Sequence, residues 1–223
     1  TPFDPCIEVN TVTVEVVVET RANTTVSGNQ TQAAVAMDAI GNSVVVWTSD
    51  GNLDGNGKGI FAQRYDPDGN KLGGEFQVNT WTNDDQDLPA VAMDANGNFV
   101  VVWSSKNQDG DNKGIYGQRF DASGNKVGTE FRVNVTTINE QNQATVTMTE
   151  DGRFVVAWRS NQDGTDIYMR RYDSNGNALS GETRVNSNVI NTQEQPDVGI
   201  DAAGNFVIAW KSASGGIGKG VYA

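Results

Sequence analysis

The sequence predicts an all-β protein built from repeated units, on three observations. Four tryptophans recur at spacings of 52 to 56 residues, and each ends a run of mostly apolar, β-branched residues. Repeats of about this length are typical of stacked or radially arranged supersecondary units. Short glycine-containing turn sequences separate the runs, and no stretch carries a helical period of apolar residues. The four tryptophans are Trp47, Trp103, Trp158 and Trp210.

One unit, between residues 90 and 134, shows the order of the strands. The first and second strands, 90–94 and 99–104, are joined by a tight turn at 95–98. A polar, glycine-rich loop at 106–114 leads to a third strand at 115–121. A second tight turn at 122–125 leads to a fourth strand at 126–134. The other units match this one position by position, so the same order of strands is predicted for them.

Two features mark the later strands of each unit. The third strands begin with Ile60, Ile115, Ile167 and Val221. The fourth strand carries a Glu and an Asn four residues apart, and a Gln follows 11 residues after the Glu; these sets are Glu75/Asn79/Gln86, Glu130/Asn134/Gln141 and Glu182/Asn186/Gln193. Residues 19–23 match 182–186 and keep the same spacing to Gln30. The N-terminal segment therefore supplies a further fourth strand.

The fourth unit reaches only its third strand by residue 223, and residues 19–23 would complete it. Closing a ring with both ends of a chain is typical of β-propellers, in which four-stranded blades surround an axis. The sequence therefore predicts a four-bladed β-propeller of antiparallel blades, with the last blade completed by an N-terminal strand of the same chain or of a neighbour. Residues 19–223 form the propeller and residues 1–18 an N-terminal extension. An open array and a part of a larger ring are the alternatives.

One repeat motif runs through the chain from Glu19 onward. It reads Val-Ala-Met-Asp-x-x-Gly-Asn-Phe-Val-Val-Val-Trp, then Gly-Ile-Tyr-x-Gln-Arg-Phe-Asp, then Gly-x-Glu-Phe-x-Val-Asn. This motif resembles the tandem repeats of large secreted bacterial surface proteins, which often accompany calcium-binding and adhesion modules. The resemblance implies an extracellular or cell-surface location and names no catalytic chemistry.

The composition excludes several classes of function. A formal net charge of −12 and a pI of about 4.3 would repel a nucleic-acid backbone. The chain has no histidine, which excludes Ser-His-Asp and Cys-His triads and ordinary zinc sites. No apolar run reaches the roughly 20 residues of a membrane-spanning helix. The single cysteine, Cys6, has no partner in the chain and is a candidate for an intermolecular disulfide.

The four repeated tryptophans are predicted to be structural core, because each ends a buried strand at the same position. Trp81 has no counterpart and lies in an acidic linker between two units. In a propeller the linkers and the loops between second and third strands share one face, and here they carry the variation in length and composition. We expect a ligand site on this loop face, with Trp81, Asp84, Asp85 and Asp87 as candidate residues.

Residues 50–55 suggest a calcium site. Asp50, Asn52 and Asp54 stand at alternate positions before a glycine, a pattern of oxygen ligands suited to a hard cation. The closing glutamate of an EF-hand is missing and the pattern decays in later units, so solvated turn residues are the alternative. No other cofactor is expected.

Three Asn-x-Thr triplets begin at Asn23, Asn29 and Asn134, and these residues are candidate N-glycosylation sites. All three lie at or near linkers on the loop face. Chance occurrence in a chain rich in Asn and Thr is the alternative.

These features favour a non-catalytic extracellular module with a structural or adhesive role. The β-prone run at 11–19 is suited to strand addition to a neighbouring molecule, so self-association through residues 1–18 into filaments belongs to this hypothesis. A lectin-like binder of extracellular glycans is the alternative. A glycosidase comes third, because paired acids such as Asp84 and Asp85 are neighbours in sequence without a defined separation across a cleft. The chain is therefore expected not to be an enzyme.

Overall fold

The computed structural model describes residues 19–213 and 220–223, which form β-strands and no helix. Within this part of the chain, nothing helical is long and apolar enough to cross a bilayer. In chain order the strands are β1 (Gln30–Met37), β2 (Ser43–Ser49), β3 (Gly59–Tyr65), β4 (Lys71–Gln77), β5 (Gln86–Met93), β6 (Phe99–Lys106), β7 (Lys113–Phe120), β8 (Lys126–Arg132), β9 (Gln141–Met148), β10 (Phe154–Ser160), β11 (Asp166–Tyr172), β12 (Thr183–Arg184), β13 (Gln193–Ile200), β14 (Phe206–Ser212) and β15 (Gly220–Tyr222).

The strands assemble into four antiparallel sheets, each built from consecutive strands. β1–β4, β5–β8 and β9–β12 form blades 1, 2 and 3, and β13–β15 form blade 4, which has three strands within the described residues. The first strands lie next to one another, β1 beside β5, β5 beside β9 and β9 beside β13. Consecutive meandering sheets arranged in this way are the blades of a β-propeller. The predicted four-bladed, all-β fold is confirmed.

The N-terminal segment lies beside blade 1. Lys71 Nζ donates a hydrogen bond to the carbonyl of Ala22 at 2.8 Å, and the backbone N–H of Thr24 donates to the Glu75 carboxylate at 2.6 Å. Residues 19–23 belong to none of the four described sheets, so their pairing with β15 stays a prediction. Residues 1–18, with the candidate disulfide residue Cys6, lie outside the described residues.

Blades 1 and 4 each leave one face open. Val35 in β1 and Val207 in β14 are 63% and 57% exposed. Their counterparts in blade 2, Val91 and Val100, are buried. In the described residues β13 does not pack on β1 in the way that successive first strands pack on each other. The blades therefore contact one another in the order 1–2–3–4, without a comparable joint between blades 4 and 1.

Three apolar clusters hold the blades together, one at each joint between successive blades. Side chains alternate along a strand, so one face of a blade packs on the previous blade and the other on the next. Trp103 and Trp158 are fully buried at these joints, and Trp47 is 4% exposed. The stacked rings of Phe99 and Phe120, 4.8 Å apart, extend the joint between blades 1 and 2. These three tryptophans thus lie in the core.

Arginines that recur in the third strands join the blades at the end opposite the loop face. Arg64 in β3 donates to the carbonyl of Ala122, which lies in a turn of blade 2. Arg119 in β7 donates to the carbonyl of Ser174, in the corresponding turn of blade 3, at 2.9 Å. Each arginine therefore fastens its blade to the next one and belongs to the scaffold.

Each tight turn opens with an aspartate or a threonine that accepts hydrogen bonds across the turn. After β7, Asp121 accepts from Asn125 Nδ2 at 2.9 Å and from the Asn125 backbone N–H at 2.8 Å. Gly124 has φ +83° in this turn, a conformation that residues with a side chain rarely adopt. Hydrogen bonds, first from the asparagine side chain, lower the pKa of the aspartate, as they do for Asp66, Asp121, Asp173 and Asp201.

We expect the melting temperature to fall as the pH drops below about 4. A carboxyl whose pKa is lower in the folded state stabilises that state above its unfolded pKa, and the contribution disappears as the pH falls through the folded pKa. Replacing all four of these aspartates with Asn should lower the melting temperature near neutral pH and flatten the acid-induced fall. Thermal melts across the pH range measure both effects. A quadruple variant with the wild-type pH profile would contradict the assignment.

Trp103→Ala should reduce the free energy of unfolding by about 3–5 kcal/mol, because a fully buried indole leaves a cavity. Trp81→Ala should cost less, since Trp81 is only partly buried. Equilibrium unfolding in urea compares the two variants. Equal losses would show that the inter-blade core is misassigned.

Candidate functional site

Each first strand begins with a residue pair that is the same in all four blades. A Gln at the start of the first strand faces a Ser in the second strand, and the pairs are Gln30/Ser49, Gln86/Ser105, Gln141/Ser160 and Gln193/Ser212. In blades 2, 3 and 4 both side chains are buried. A pair that every blade repeats serves the architecture that the blades share.

In blades 1 and 2 the repeated Asn that follows the fourth strand binds the Gln of the next blade and two other segments. Asn134 Oδ1 accepts from the backbone N–H of Ile115 at 2.7 Å, and Asn134 Nδ2 donates to Gln141 Oε1 at 3.1 Å and to the carbonyl of Thr136 at 2.8 Å. We call this arrangement the asparagine clamp, because it fastens the linker between blades to the start of a third strand. Asn79 and Asn186 make the same bond to their third strands, at 2.8 Å in both cases.

The repeated Glu joins a blade to the linker that precedes it. Glu130 in β8 accepts from the backbone N–H of Thr80 at 2.6 Å and from its hydroxyl at 2.8 Å. Glu182 accepts from the backbone N–H of Val135 at 2.7 Å in the same way. The Glu, Asn and Gln of the repeat motif are therefore parts of the joint between blades.

A carboxylate completes each clamp, and it comes from two different chain positions. Asp54 and Asp109, in the loops before the third strands, accept from the clamp asparagines at 3.2 Å. In blade 3 the acceptor is Asp166, which is fully buried and accepts from Asn186 Nδ2 at 2.7 Å. Asp166 stands at the position of Gly114 in blade 2, where an added Cβ would lie 2.4 Å from the Asp109 carboxylate. In blade 3 the carboxylate therefore comes from a different sequence position than in blades 1 and 2, but it bonds the equivalent clamp asparagine.

The candidate calcium ligands are engaged by three separate segments. Asp54 belongs to the clamp, Asp50 accepts from Asn29 Nδ2 at 2.8 Å, and Asn52 Oδ1 accepts from the backbone N–H of Gly57 at 2.8 Å. In the residues that the structure describes, no group of three or more acidic or cysteine side chains is placed to hold a metal ion. Calcium binding stays a prediction.

The next pair along the first strands differs from blade to blade. The four pairs are Thr31/Thr48, Asp87/Ser104, Asn142/Arg159 and Glu194/Lys211. Three ion pairs form at this level, Asp87–Lys113 at 2.9 Å, Glu140–Arg159 at 3.5 Å and Glu194–Lys211 at 3.2 Å. A common scaffold needs only one solution at a repeated position, so residues that differ here are candidates for function. We call the four residue pairs at this position the variable charged row, after the charged side chains that blades 2, 3 and 4 place there.

In every first strand, the residue after the one that belongs to the variable charged row has a left-handed backbone conformation. These residues are Gln32, Leu88, Gln143 and Gln195, with φ between 54° and 57°. Each lies where the register of its strand pair shifts. Non-glycine residues adopt this conformation at a cost of order 1–3 kcal/mol, and because all four blades repeat it the conformation belongs to their shared architecture. Gln32 Oε1 accepts from the backbone N–H of Leu88 at 3.0 Å, so the strained positions also link neighbouring blades.

A polar pocket of about 430 Å³ opens between blades 2 and 3. It is lined by Asn112, Asn139, Glu140, Asn161, Gly164 and Thr165. These residues belong to a linker and to loops before third strands, so the pocket lies on the loop face and we call it the loop-face pocket. Asn161 Oδ1 is buried there without a hydrogen-bond partner among the described residues. Asp111 adjoins the pocket, because its carboxylate accepts from the backbone N–H of Asn139 at 2.8 Å.

A larger cleft of about 640 Å³ lies between blades 3 and 4, and we call it the blade 3–4 cleft. Thr183 and Arg184 of β12 line one side, and Trp210 and Tyr222 line the other. Trp210 was predicted to be core like the other three tryptophans. It packs against the blade 3–4 cluster but is only partly buried, because the cleft leaves part of it uncovered.

The four predicted ligand residues lie in one linker and have separate partners. Trp81 is partly buried, and its indole nitrogen is shielded from solvent, so it is not the freely exposed anchor that the sequence suggested. The carboxylates are divided among three contacts: Asp84 with Asn107 Nδ2 at 3.0 Å, Asp85 with the backbone N–H of Lys58 at 3.2 Å, and Asp87 with Lys113. Only Asp87 belongs to the variable charged row.

The three candidate glycosylation sites differ in access. Asn134 is 1% exposed and engaged in its clamp, so the folded protein offers no space for a glycan there. Asn23 is partly buried and its Nδ2 donates to the carbonyl of Thr25 at 2.6 Å. Asn29 is exposed, and both its backbone N–H and its side-chain Nδ2 donate to the Asp50 carboxylate. The prediction for Asn134 is therefore wrong for the folded state, because the Asn of the triplet is the Asn of the joint.

Neither a protein-family model nor a curated protein matches the chain. Among solved structures, the endo-arabinase from Bacteroides thetaiotaomicron VPI-5482 aligns with a TM-score of 0.56 and 14% identity, covering 90% of this chain and 77% of that protein. The GH93 alpha-L-arabinofuranosidase of Fusarium graminearum aligns with a TM-score of 0.56 and 10% identity, covering 84% and 57%. The Hadza microbial sialidase Hz136 aligns with a TM-score of 0.55 and 13% identity, covering 86% and 43%. At these identities the likeness shows a common fold.

These neighbours contradict the expectation of a non-catalytic structural or adhesive module. Each of the three bears the name of an enzyme that acts on carbohydrate. The expectation that the chain is not an enzyme is wrong on the same comparison. The filament-forming adhesive role that accompanied it is withdrawn.

Sequence reasoning missed Glu140, Arg159, Asn161, Glu194 and Lys211. For Arg159, Glu194 and Lys211 the signal was present, because the residue after the repeated Gln differs in each unit while the Gln itself does not. The meaning of this signal depends on the strand register, which shows that the residue after the Gln faces an equally variable one in the second strand. Glu140 and Asn161 lie outside these paired positions, and the repeat carries no such signal for them. Comparison of the repeats at paired positions would have found the row.

The relocated carboxylate can be tested in blade 2. Gly114→Asp alone should destabilise the protein by about 1–3 kcal/mol, because the new side chain collides with the Asp109 carboxylate. Adding Asp109→Ala should recover most of that loss, since the new carboxylate then reaches Asn134 as Asp166 reaches Asn186. Urea unfolding of the two single variants and the double variant gives the coupling. Additive losses would show that the carboxylates are not interchangeable.

Proposed function

We propose that this protein is a glycoside hydrolase that cleaves neutral glycans at the loop-face pocket. The observation that carries the proposal is the placement of blade-specific charged residues beside a polar pocket on the loop face of the propeller. Three solved proteins with this fold bear the names of carbohydrate-active enzymes, which supports the assignment of the chemistry. The chain spans only about half the length of two of them, so the whole-protein activity is part of the proposal.

Hydrolysis of a glycosidic bond needs two carboxyl groups, one to protonate the leaving oxygen and one to activate water or attack the sugar. Glu140 lines the pocket and Asp111 adjoins it. We assign the two roles to this pair. Histidine is not required for this chemistry, so its absence from the chain is compatible with the activity.

Arg159 positions the first of these acids. Its Nη1 lies 3.5 Å from Glu140 Oε2 and donates to Asn142 Oδ1 at 3.1 Å. A guanidinium held by a neighbouring amide restricts the glutamate without a short hydrogen bond to it. The carboxylate therefore stays available to a substrate in the pocket.

The remaining lining groups suit sugar hydroxyls. Asn112, Asn139 and Thr165 offer donors and acceptors at the pocket. Asn161 Oδ1 is an acceptor that is already desolvated and lacks a partner in the described part of the chain. Because this oxygen is shielded from solvent, a substrate hydroxyl would bond it only after the Asn161 side chain turned toward the pocket, and that bond would remove the cost of an unpaired buried polar atom.

The charge of the chain selects among glycans. A net charge of −12 disfavours polyanionic substrates and is neutral toward uncharged sugars. Arabinose polymers, named for two of the structural neighbours, suit this charge better than sialylated glycans, which carry carboxylates. We further propose an extracellular or cell-surface location, supported by the resemblance of the repeat motif to secreted proteins and by the accessibility of polysaccharides there.

Release of reducing sugar from arabinan and from a panel of other neutral polysaccharides tests the proposal. Glu140→Gln and Asp111→Asn should each lower the rate by at least about 100-fold, because each removes a proton-transferring or nucleophilic group. Glu150→Gln is the matched control, since Glu150 is exposed in a turn at the opposite end of its blade and should hydrolyse at the wild-type rate. Thermal melts check that all variants fold. A wild-type protein that releases no sugar from the panel, or a Glu140→Gln variant with full activity, would overturn the assignment.

A further inference from the structure

The blade 3–4 cleft lies where a pair of aromatic rings fills each of the other two joints. At the joint between blades 1 and 2, Phe76 of the fourth strand packs on Phe120 with ring centroids 5.7 Å apart. At the next joint Phe131 packs on Tyr172 at the same distance. The matching residue in blade 3 is Thr183, which lines the cleft. A joint that is filled twice by phenylalanine is thus open at its third occurrence.

The opening exposes an aromatic surface. Trp210 and Tyr222 stack with centroids 6.3 Å apart and an interplanar angle of 22°, and both line the cleft. Tyr222 is 43% exposed, and Trp210 is partly buried where Trp103 and Trp158 are fully buried. Two rings in nearly parallel planes offer a flat apolar face of the kind on which the C–H face of a sugar ring packs.

Polar groups surround this surface. Arg184, Asn186 and Asn188 lie on the blade 3 side of the cleft, and Gln193 lies on the blade 4 side. Asn186 and Gln193 are buried and hydrogen-bonded within the joint, whereas Arg184 is exposed and offers guanidinium donors beside the apolar floor. The volume of about 640 Å³ falls within the 300–1,000 Å³ typical of small-molecule sites.

A buried carboxylate with a free oxygen lies behind these residues. Asp166 is fully buried, and its Oδ2 has no hydrogen-bond partner among the described residues. Arg184 Nη1 lies 3.9 Å from that oxygen and 3.7 Å from Asp163 Oδ2. The guanidinium is therefore placed between two carboxylates and the cleft, where it neutralises them and presents its remaining N–H groups.

We propose that the blade 3–4 cleft is a second carbohydrate-binding site, in which a neutral sugar ring packs on Trp210 and Tyr222 and its hydroxyls bond Arg184. The choice of carbohydrate rests on the proposed function, whereas the cleft itself rests on the Thr183 substitution and the exposed rings. One loop serves both sites: Asn161, Gly164 and Thr165 line the loop-face pocket, and Asp163 binds Arg184 of the cleft. A glycan held in the cleft would thus be held on the same loop that borders the hydrolytic pocket.

Thr183→Phe tests the inference, because a bulky ring at this lining position would occupy part of the cleft. Thr183→Ser is the matched control and keeps the cleft open. Binding is measured by titrating neutral oligosaccharides of the same polysaccharide panel into each protein in a Glu140→Gln background, with tryptophan fluorescence and calorimetry as readouts. We expect the Thr183→Phe variant to bind at least tenfold more weakly than the Thr183→Ser variant and to melt at the same temperature or higher.

Equal affinity of the two variants would overturn the inference, as would the absence of binding to every oligosaccharide of the panel. The sugar-release assay judges the proposed function separately. A protein that binds through the cleft but releases no sugar refutes only the hydrolytic assignment. A protein that releases sugar but binds equally well with Phe at position 183 refutes only the second site.

Discussion

A buried asparagine that bonds three chain segments at once is the constraint on which the first two blade joints depend. Its amide reaches the third strand, the linker and the Gln that opens the next first strand. Leaving any of these buried groups unpaired would cost about 1–3 kcal/mol. The clamp therefore fixes where β5 and β9 start. Because the clamp is repeated, the residues that follow the Gln come to the same level in these two blades, and this part of the variable charged row is a direct result of that register.

The predictable part of the fold was local. The spacing of the tryptophans, the Asp-x-x-Gly-Asn turns and the alternation of apolar residues each act within a few positions, so they determine strands and turns without knowledge of tertiary contacts. The misassigned residues all depend on distant partners. Asn134 reads as a glycosylation triplet until its bond to Ile115 is known, and Trp81 reads as exposed until its linker is seen between two loops. Asp54 has the sequence spacing of a metal ligand, but in the structure its carboxylate accepts a hydrogen bond from the clamp residue Asn79.

From the sequence, the candidate site could be assigned to one face of the propeller, but its individual residues could not be identified. Variation among loops favoured the loop face, and the pocket to which we assign the proposed activity lies on that face. The acids of the pocket were not recognised, because Glu140 and Arg159 are 19 positions apart and only their meeting at 3.5 Å marks them. A repeat protein carries an internal comparison that partly replaces a set of related sequences. Residues that are the same in every blade indicate what the fold requires. Residues that differ between blades at structurally equivalent positions are candidates for ligand recognition.

In blade 3 the clamp carboxylate comes from a strand, whereas in blades 1 and 2 it comes from a loop. This difference has a consequence for the evolution of such a protein. Asp166 meets the requirement of its joint from the strand side, which frees the preceding loop from supplying Asp54 or Asp109. That loop is the shorter one, and its own aspartate has turned toward Tyr168 and Arg184 instead. Loop length and sheet integrity are thereby uncoupled, so segments on this face can be exchanged between blades, or replaced by foreign ones, while the frame beneath them is left alone.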